Sequence, residues 1–238
     1  MNVVITMGGL GSRFRKAGYN IPKYEIMVLN KTLFEWSMLS LKNFFDERFI
    51  FCVRKDDNAV DFITEKCKEL GIKGKIVELK DVTKGQAETV LFAKNLWKSE
   101  DELLVFNIDT YVEPDELNKE SIHGDGFIPC FYSVGNHWSF VKLDADGHVL
   151  EVREKERISD NCTIGAYYFS SAELYENIYN EYYGNGARFE QGEEYIAPMY
   201  NLMIKKKYDV YIQSISSEKV HVLGTPEEVV QFRRNSTL

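Results

Sequence analysis

The residues best suited to chemistry lie near the start of the chain. The run Met7-Gly8-Gly9-Leu10-Gly11-Ser12-Arg13-Phe14 follows the apolar stretch Val3-Val4-Ile5, and Pro22-Lys23 comes shortly after. A strand that ends in a glycine-rich turn exposes several backbone N–H groups at once, and those donors with Arg13 and Lys23 form a site for a polyphosphate. Two familiar phosphate loops are excluded. There is no G-x-x-x-x-G-K-[ST], because Gly8 and Gly9 are not followed at that spacing by Gly-Lys. The dinucleotide fingerprint fails as well, since Gly9-Leu10-Gly11 is present but position 14 is Phe rather than Gly or Ala. The combination points to chemistry on a nucleoside triphosphate. The plainer reading is a tight strand-to-helix turn with exposed basic side chains.

Such a loop needs a frame, and the order of predicted elements supplies one. Residues 3–6 read as a short buried strand, 32–45 as apolar residues at helical spacing, 49–53 as a strand, 58–70 as an amphipathic helix and 76–79 as a third strand. A helix over 86–97 and a strand over 102–108, ending at Asp109, complete a βαβαβ pattern and predict an α/β domain with a mostly parallel central sheet flanked by helices. Short strands over 127–132, 139–143, 149–154 and 163–169, separated by turns such as Asp144-Ala145-Asp146-Gly147, predict a small antiparallel β extension. Ser170 and Glu173 have capping-box form before a helix over 172–183, and Thr225-Pro226-Glu227-Glu228 has it before the last helix. The tyrosines at 175, 179, 182 and 183 fit a packing face of that earlier helix. One domain over 1–238 is expected, with a nucleotide-binding half over 1–115 and an acceptor-binding half over 116–238.

Ligands of an open parallel sheet bind beyond the carboxyl ends of its strands, so the loops after Ile5 and after Ile108 belong on one rim. This sets the phosphate donors opposite Asn107-Ile108-Asp109-Thr110. Mg²⁺, a hard cation that takes one or two carboxylates plus phosphate oxygens, suits the arrangement, with Asp109 as its ligand. A lone Asp after a strand is equally compatible with a turn or helix cap; its place opposite the glycine loop favours the metal.

The composition restricts the partners. A formal charge of −8 and a pI near 5.2 argue against nucleic acid, which demands clustered Lys and Arg. The one basic run, Lys205-Lys206-Lys207, reads as a solvated helix end. No apolar stretch approaches the roughly twenty residues of a membrane span, and no charged n-region with an apolar h-region opens the chain, so a cytoplasmic protein is expected. The cysteines at 52, 67, 130 and 162 and the histidines at 123, 137, 148 and 221 show no metal-ligand spacing, and the cysteines read as buried thiols. The chain leaves room for a homo-oligomer.

Taken in order, several blocks resemble the short sugar-phosphate nucleotidyltransferases and cytidylyltransferases of the GT-A-like, Rossmann-related superfamily. They are residues 8–13 with Pro22-Lys23, residues 83–91, Asn107-Ile108-Asp109-Thr110, Glu154-Lys155, residues 163–169 and Leu223-Gly224-Thr225-Pro226-Glu227-Glu228. The resemblance implies that Met7, Gly8, Gly9, Leu10, Gly11 and Ser12 hold the triphosphate and that Arg13 neutralises the departing pyrophosphate. Lys23 would contact the α-phosphate or the incoming phosphate. Gly85 and Gln86 would read the base, beside Asn107, with the small residue admitting the ring and the amide bonding its edge. Glu154, Lys155, Gly165 and Tyr168 would meet the acceptor, Lys155 through its phosphate; the plainer reading of Lys155 is a surface ion pair with Glu154.

One departure stands out. Many relatives carry a second metal-binding Asp two residues before the late Gly-Thr, where this chain has Val222. Either Asp109 and phosphates alone hold the metal, or another acid such as Glu154 or Glu193 helps. The stretch 195–201 resembles one in short relatives linked to surface-polysaccharide synthesis, and a helix start with core aromatics explains it equally well. The short form further implies no acyltransferase extension, and favours CTP, then UTP, as nucleotide. The acceptor would be a sugar 1-phosphate, or a phosphorylated amino alcohol, polyol or amino acid. Two other classes compete: a GT-A glycosyltransferase, which would show Asp-x-Asp where Asp109-Thr110-Tyr111 stands, and a non-catalytic nucleotide-binding regulatory module.

Overall fold

The computed structural model describes residues 1–184 and 192–235. In the first half the strands are β1 (Asn2–Met7), β2 (Met27–Val28), β3 (Lys31–Thr32), β4 (Arg48–Arg54), β5 (Gly74–Leu79), β6 (Leu103–Asn107) and β7 (Thr110–Val112). The second half adds β8 (Gly126–Phe131), β9 (Ser139–Leu143), β10 (Val149–Glu154), β11 (Asn161–Thr163), β12 (Ala166–Phe169), β13 (Val210–Ile215) and β14 (Val220–Val222). The helices are α1 (Ser12–Lys16), α2 (Leu33–Leu39), α3 (Val60–Leu70), α4 (Gln86–Leu91), α5 (Ala172–Tyr183), α6 (Tyr200–Lys205) and α7 (Pro226–Asn235).

A single sheet runs β10-β9-β11-β8-β12-β6-β1-β4-β5, with β13 joined alongside β8. Strands β6, β1, β4 and β5 are mutually parallel, and β12 continues the sheet antiparallel to β6. Alternation along the strands sorts side chains onto two faces. Val3, Ile5, Phe49, Phe51, Leu104 and Phe106 enter one core with α2 and α3; Val4, Ile50, Cys52, Leu103 and Val105 enter the other with α4 and α5. A third cluster, with Phe14, Leu33, Tyr111, Leu223 and Phe232, packs α1, α2 and α7 around the β7–β14 pair. Among the described residues no helix is long and apolar enough to cross a membrane, and all four cysteines are buried thiols.

Several boundaries differ from the sequence pattern, each for a local reason. The helix expected over 86–97 ends at Leu91, because the amides of Phe92, Ala93 and Lys94 bond three residues back rather than four. The stretch 32–45 divides after Leu39, where Ser40 Oγ accepts the amide of Val112 at 2.9 Å. The cap of α5 is Ser171, whose hydroxyl accepts from the Leu174 amide, so the box expected at Ser170 is displaced by one residue. A complete capping box sits instead at Thr32 and Glu35. The strand expected over 163–169 breaks between β11 and β12 at Gly165, whose φ is +82°.

Candidate active site

Strand β1 delivers the glycine loop to the rim. Gly11 adopts a left-handed φ of +61° just before α1, and a Cβ on Gly8 would meet Leu79 Cδ1 at 2.9 Å, so both glycines answer to local geometry. Gly9, Leu10, Ser12 and Arg13 are exposed. A small depression there is lined by Gly9, Leu10, Gly11, Arg15, Pro22 and Lys23. The short 3₁₀ turn at Lys23–Glu25 turns Lys23 toward β6, and Lys23 Nζ donates to Asp109 Oδ2 at 2.7 Å. Lys23 and Asp109, expected on one rim, are thus in direct contact.

Asp109 is half-buried between β6 and β7, and its carbonyl accepts the Leu223 amide at 2.8 Å. Burial pushes its carboxyl upward, but the charge and hydrogen bond of Lys23, with Arg13 further off, outweigh that and hold it below the usual carboxylate range. A carboxylate that stays ionised in a cationic cleft can exchange an ammonium for a metal ion. Among the described residues no group of three or more His, Cys, Asp or Glu side chains is arranged to hold a metal. The carboxylate of Asp109, beside the glycine loop, suits a cation that takes most of its oxygens from phosphates and water.

Gln86 sits at the start of α4 and donates from Nε2 to Thr6 Oγ1 at 3.1 Å, which fastens the candidate base-reading segment to the end of β1. Gly85 has a different reason to be small. A Cβ there would lie 2.4 Å from the carbonyl oxygen of Glu194, whose main chain bonds both the Lys84 carbonyl and the Ala87 amide at 2.9 Å. Asn107 ends β6 with its side chain across Gly165, where a Cβ would fall 2.1 Å from Oδ1. That Oδ1 is buried and has no hydrogen-bond partner.

Lys155, where an acceptor contact is expected, has a left-handed φ of +55° and donates from Nζ to the Tyr195 hydroxyl at 2.6 Å. Burial pushes its pKa down, but the Tyr195 phenol, with Glu154 and Glu193 nearby, raises it above the ordinary value. Glu154 is 3.8 Å from Lys155 Nζ and accepts the Ser139 hydroxyl. The ion pair expected at Glu154-Lys155 exists, yet Tyr195 is the nearer partner. Residues 194–195 thus connect the two halves: Glu194 grips residues 84–87 while Tyr195 engages Lys155. Glu194 is itself buried, accepting the Tyr179 hydroxyl at 2.5 Å. Nothing in its sequence neighbourhood marked it, because its partners come from α5 and from the loop before α4.

Tyr168 does not reach this site. Its register places it opposite Leu104 near the start of β6, and its hydroxyl donates to Glu102 at 2.7 Å, at the opposite end of the strand from Asn107 and Asp109. The expected acceptor contact at Tyr168 is corrected to a core tyrosine whose phenol is satisfied by Glu102. Glu193 is exposed beside residues 194–195.

The glycine turn, Lys23 and the strand-terminal Asp109 stand on one rim of an α/β sheet. Residues 2–212 match the family described as nucleotidyl transferase, and the chain belongs to that family. A nucleoside-diphosphate-sugar pyrophosphorylase from Vibrio cholerae RC9 is 37% identical, with a TM-score of 0.90 over 98% of this chain and 100% of that one. The inositol-1-phosphate CTP transferase from T. maritima shares the fold at 16% identity, with a TM-score of 0.75 over 95% and 90% of the two chains. HddC from Yersinia pseudotuberculosis likewise shares the fold at 20% identity, with a TM-score of 0.69 over 99% of each chain. No curated protein matches it. The protein is a nucleotidyltransferase.

Proposed function

We propose that the protein transfers a nucleoside monophosphate from a nucleoside triphosphate, with CTP favoured and UTP next, to the phosphate of a small phosphorylated metabolite. Residues 1–115 serve the nucleotide and residues 116–238 the acceptor. The acceptor is a sugar 1-phosphate, or a phosphorylated amino alcohol, polyol or amino acid. The product serves surface polysaccharide synthesis, made in the cytoplasm. The observation that carries this reading is the 2.7 Å pair between Lys23 and Asp109 at the mouth of the glycine loop.

An acceptor phosphate oxygen attacks the α-phosphorus in line; the new P–O bond forms as the α–β bridge breaks and pyrophosphate departs. That oxygen is already ionised at neutral pH, so no strong base is required and catalysis is positioning plus charge stabilisation. The loop amides from Gly8 to Gly11 bind the β- and γ-phosphates, and Arg13 neutralises the charge that grows on pyrophosphate. Lys23 leaves Asp109 for the α-phosphate as the nucleotide seats. Asp109 would hold Mg²⁺, which would supply positive charge against the charge that develops on the phosphates. Lys155 orients the acceptor's phosphate, Gly165 leaves room beside Asn107, and Gln86 bonds the base.

Pyrophosphate release, measured with each of the four nucleoside triphosphates and Mg²⁺ against a panel of sugar 1-phosphates and other small phosphorylated metabolites, tests this. Release with CTP and one acceptor is expected. Release with a purine nucleotide alone refutes the base assignment, and silence throughout with nucleotide still bound favours a regulatory module.

A further inference from the structure

Among the described residues three buried side-chain polar atoms lack a hydrogen-bond partner: Trp97 Nε1, Asn107 Oδ1 and Glu228 Oε2. Only the last belongs to a side chain that ionises. A carboxylate oxygen shut from water and given no donor is strongly disfavoured, so its place in the fold needs a reason. Helix capping does not supply one. The Glu228 amide bonds Thr225 Oγ1 at 3.2 Å, yet its own carboxylate oxygen accepts nothing in return.

The neighbouring atoms point to a cation. A Cβ built on Gly224 would lie 3.2 Å from Asp109 Oδ2, the oxygen that accepts from Lys23 Nζ, and 3.5 Å from Glu228 Oε2, so a carboxylate oxygen from the turn after β6 and one from α7 both lie beside Gly224. The Leu223 amide to Asp109 carbonyl bond and the β7–β14 pairing hold these segments together. Val222, at the end of β14, offers no carboxylate of its own. We infer that Glu228 is the second protein ligand of the divalent cation, beside Asp109 at Gly224, and that this first-turn residue of the last helix takes over the part that Val222 cannot play. The inference rests on the nucleotidyl-transfer reading above. Two carboxylates completed by phosphate oxygens and water form the set a hard cation takes.

Mn²⁺ binding read by water-proton relaxation enhancement, in the presence of each of the four α,β-methylene nucleoside triphosphates, tests the assignment without turnover. Glu228→Gln should raise the Mn²⁺ concentration at half-saturation on the order of tenfold, while nucleotide binding in EDTA is unchanged. Gly224→Ala retains both carboxylates but sets a methyl against both, and should raise it similarly. Wild-type Mn²⁺ half-saturation in Glu228→Gln, alongside loss of binding in Asp109→Asn, overturns the role of Glu228 and leaves the transfer reading intact. No relaxation enhancement in the wild-type protein with any analogue overturns both. Should Glu228→Gln melt below the assay temperature, Gly224→Ala decides, a tenfold rise supporting the site and a wild-type value overturning it.

Discussion

Replacing Gly165 by alanine isolates the device that sets Asn107 at the rim. The backbone there has a φ of +82°, which costs an L-residue about 1–2 kcal/mol. The added Cβ would stand 2.1 Å from Asn107 Oδ1 and 2.2 Å from Nδ2, far inside contact distance, so the Asn107 side chain must be displaced. Overpacking of that kind costs about 1–3 kcal/mol, and with the backbone strain the expected loss is about 2–5 kcal/mol. Urea midpoints of the wild type, Gly165→Ala, Asn107→Ala and the double variant measure it as a cycle. In the Asn107→Ala background the clash is gone, and the same glycine replacement should cost only about 1–2 kcal/mol. An equal cost in both backgrounds refutes the packing argument, and a loss below about 0.5 kcal/mol in the wild type refutes the strain as well.

Further outcomes concern charge, capping and pH. Lys23→Met should lower the rate of pyrophosphate release by about 10²–10³ with a melting temperature near wild type; single-turnover kinetics at saturating nucleotide checks it, and a near-normal rate removes Lys23 from the chemistry. Ser171→Ala should cost about 1 kcal/mol in urea unfolding, whereas Ser170→Ala should be close to neutral, which separates the observed cap from the neighbouring serine. Burial lowers the pKa of His221, against the raising influence of Glu113. The unfolded chain therefore takes up this proton at higher pH than the folded one, so the contribution of His221 to stability is whole above the ordinary value near 6.5 and declines as pH falls below it. Melting curves of the wild type and His221→Phe between pH 8 and about 5 should diverge on the acid side; parallel curves refute the shift.

The contiguous features were legible in the chain. The turn over residues 7–14 with Pro22-Lys23 can be read from consecutive residue types, because a loop that offers its own amides is a local object. The alternating and apolar runs of β1, β4 and β6 located the parallel half of the sheet, since a strand buried on both faces has to be apolar throughout. The rim that unites Lys23 with Asp109 followed from that topology.

Tertiary structure alone decided the rest. Tyr167 and Tyr168 are adjacent aromatic residues whose side chains leave opposite faces of β12, and only register with β6 sends the phenol of Tyr168 to Glu102, away from the site. Gly85 read as space for a base, but a backbone more than a hundred residues later fills the place of its missing side chain. Glu228 read as a capping residue from its immediate neighbours, and the chain path that carries it to Asp109 spans most of the second half of the protein. Local sequence specifies which backbone groups can bind a phosphate, because those groups are neighbours along the chain; which carboxylate, tyrosine or carbonyl meets them is set by the packing of distant segments, which leaves no local pattern to read.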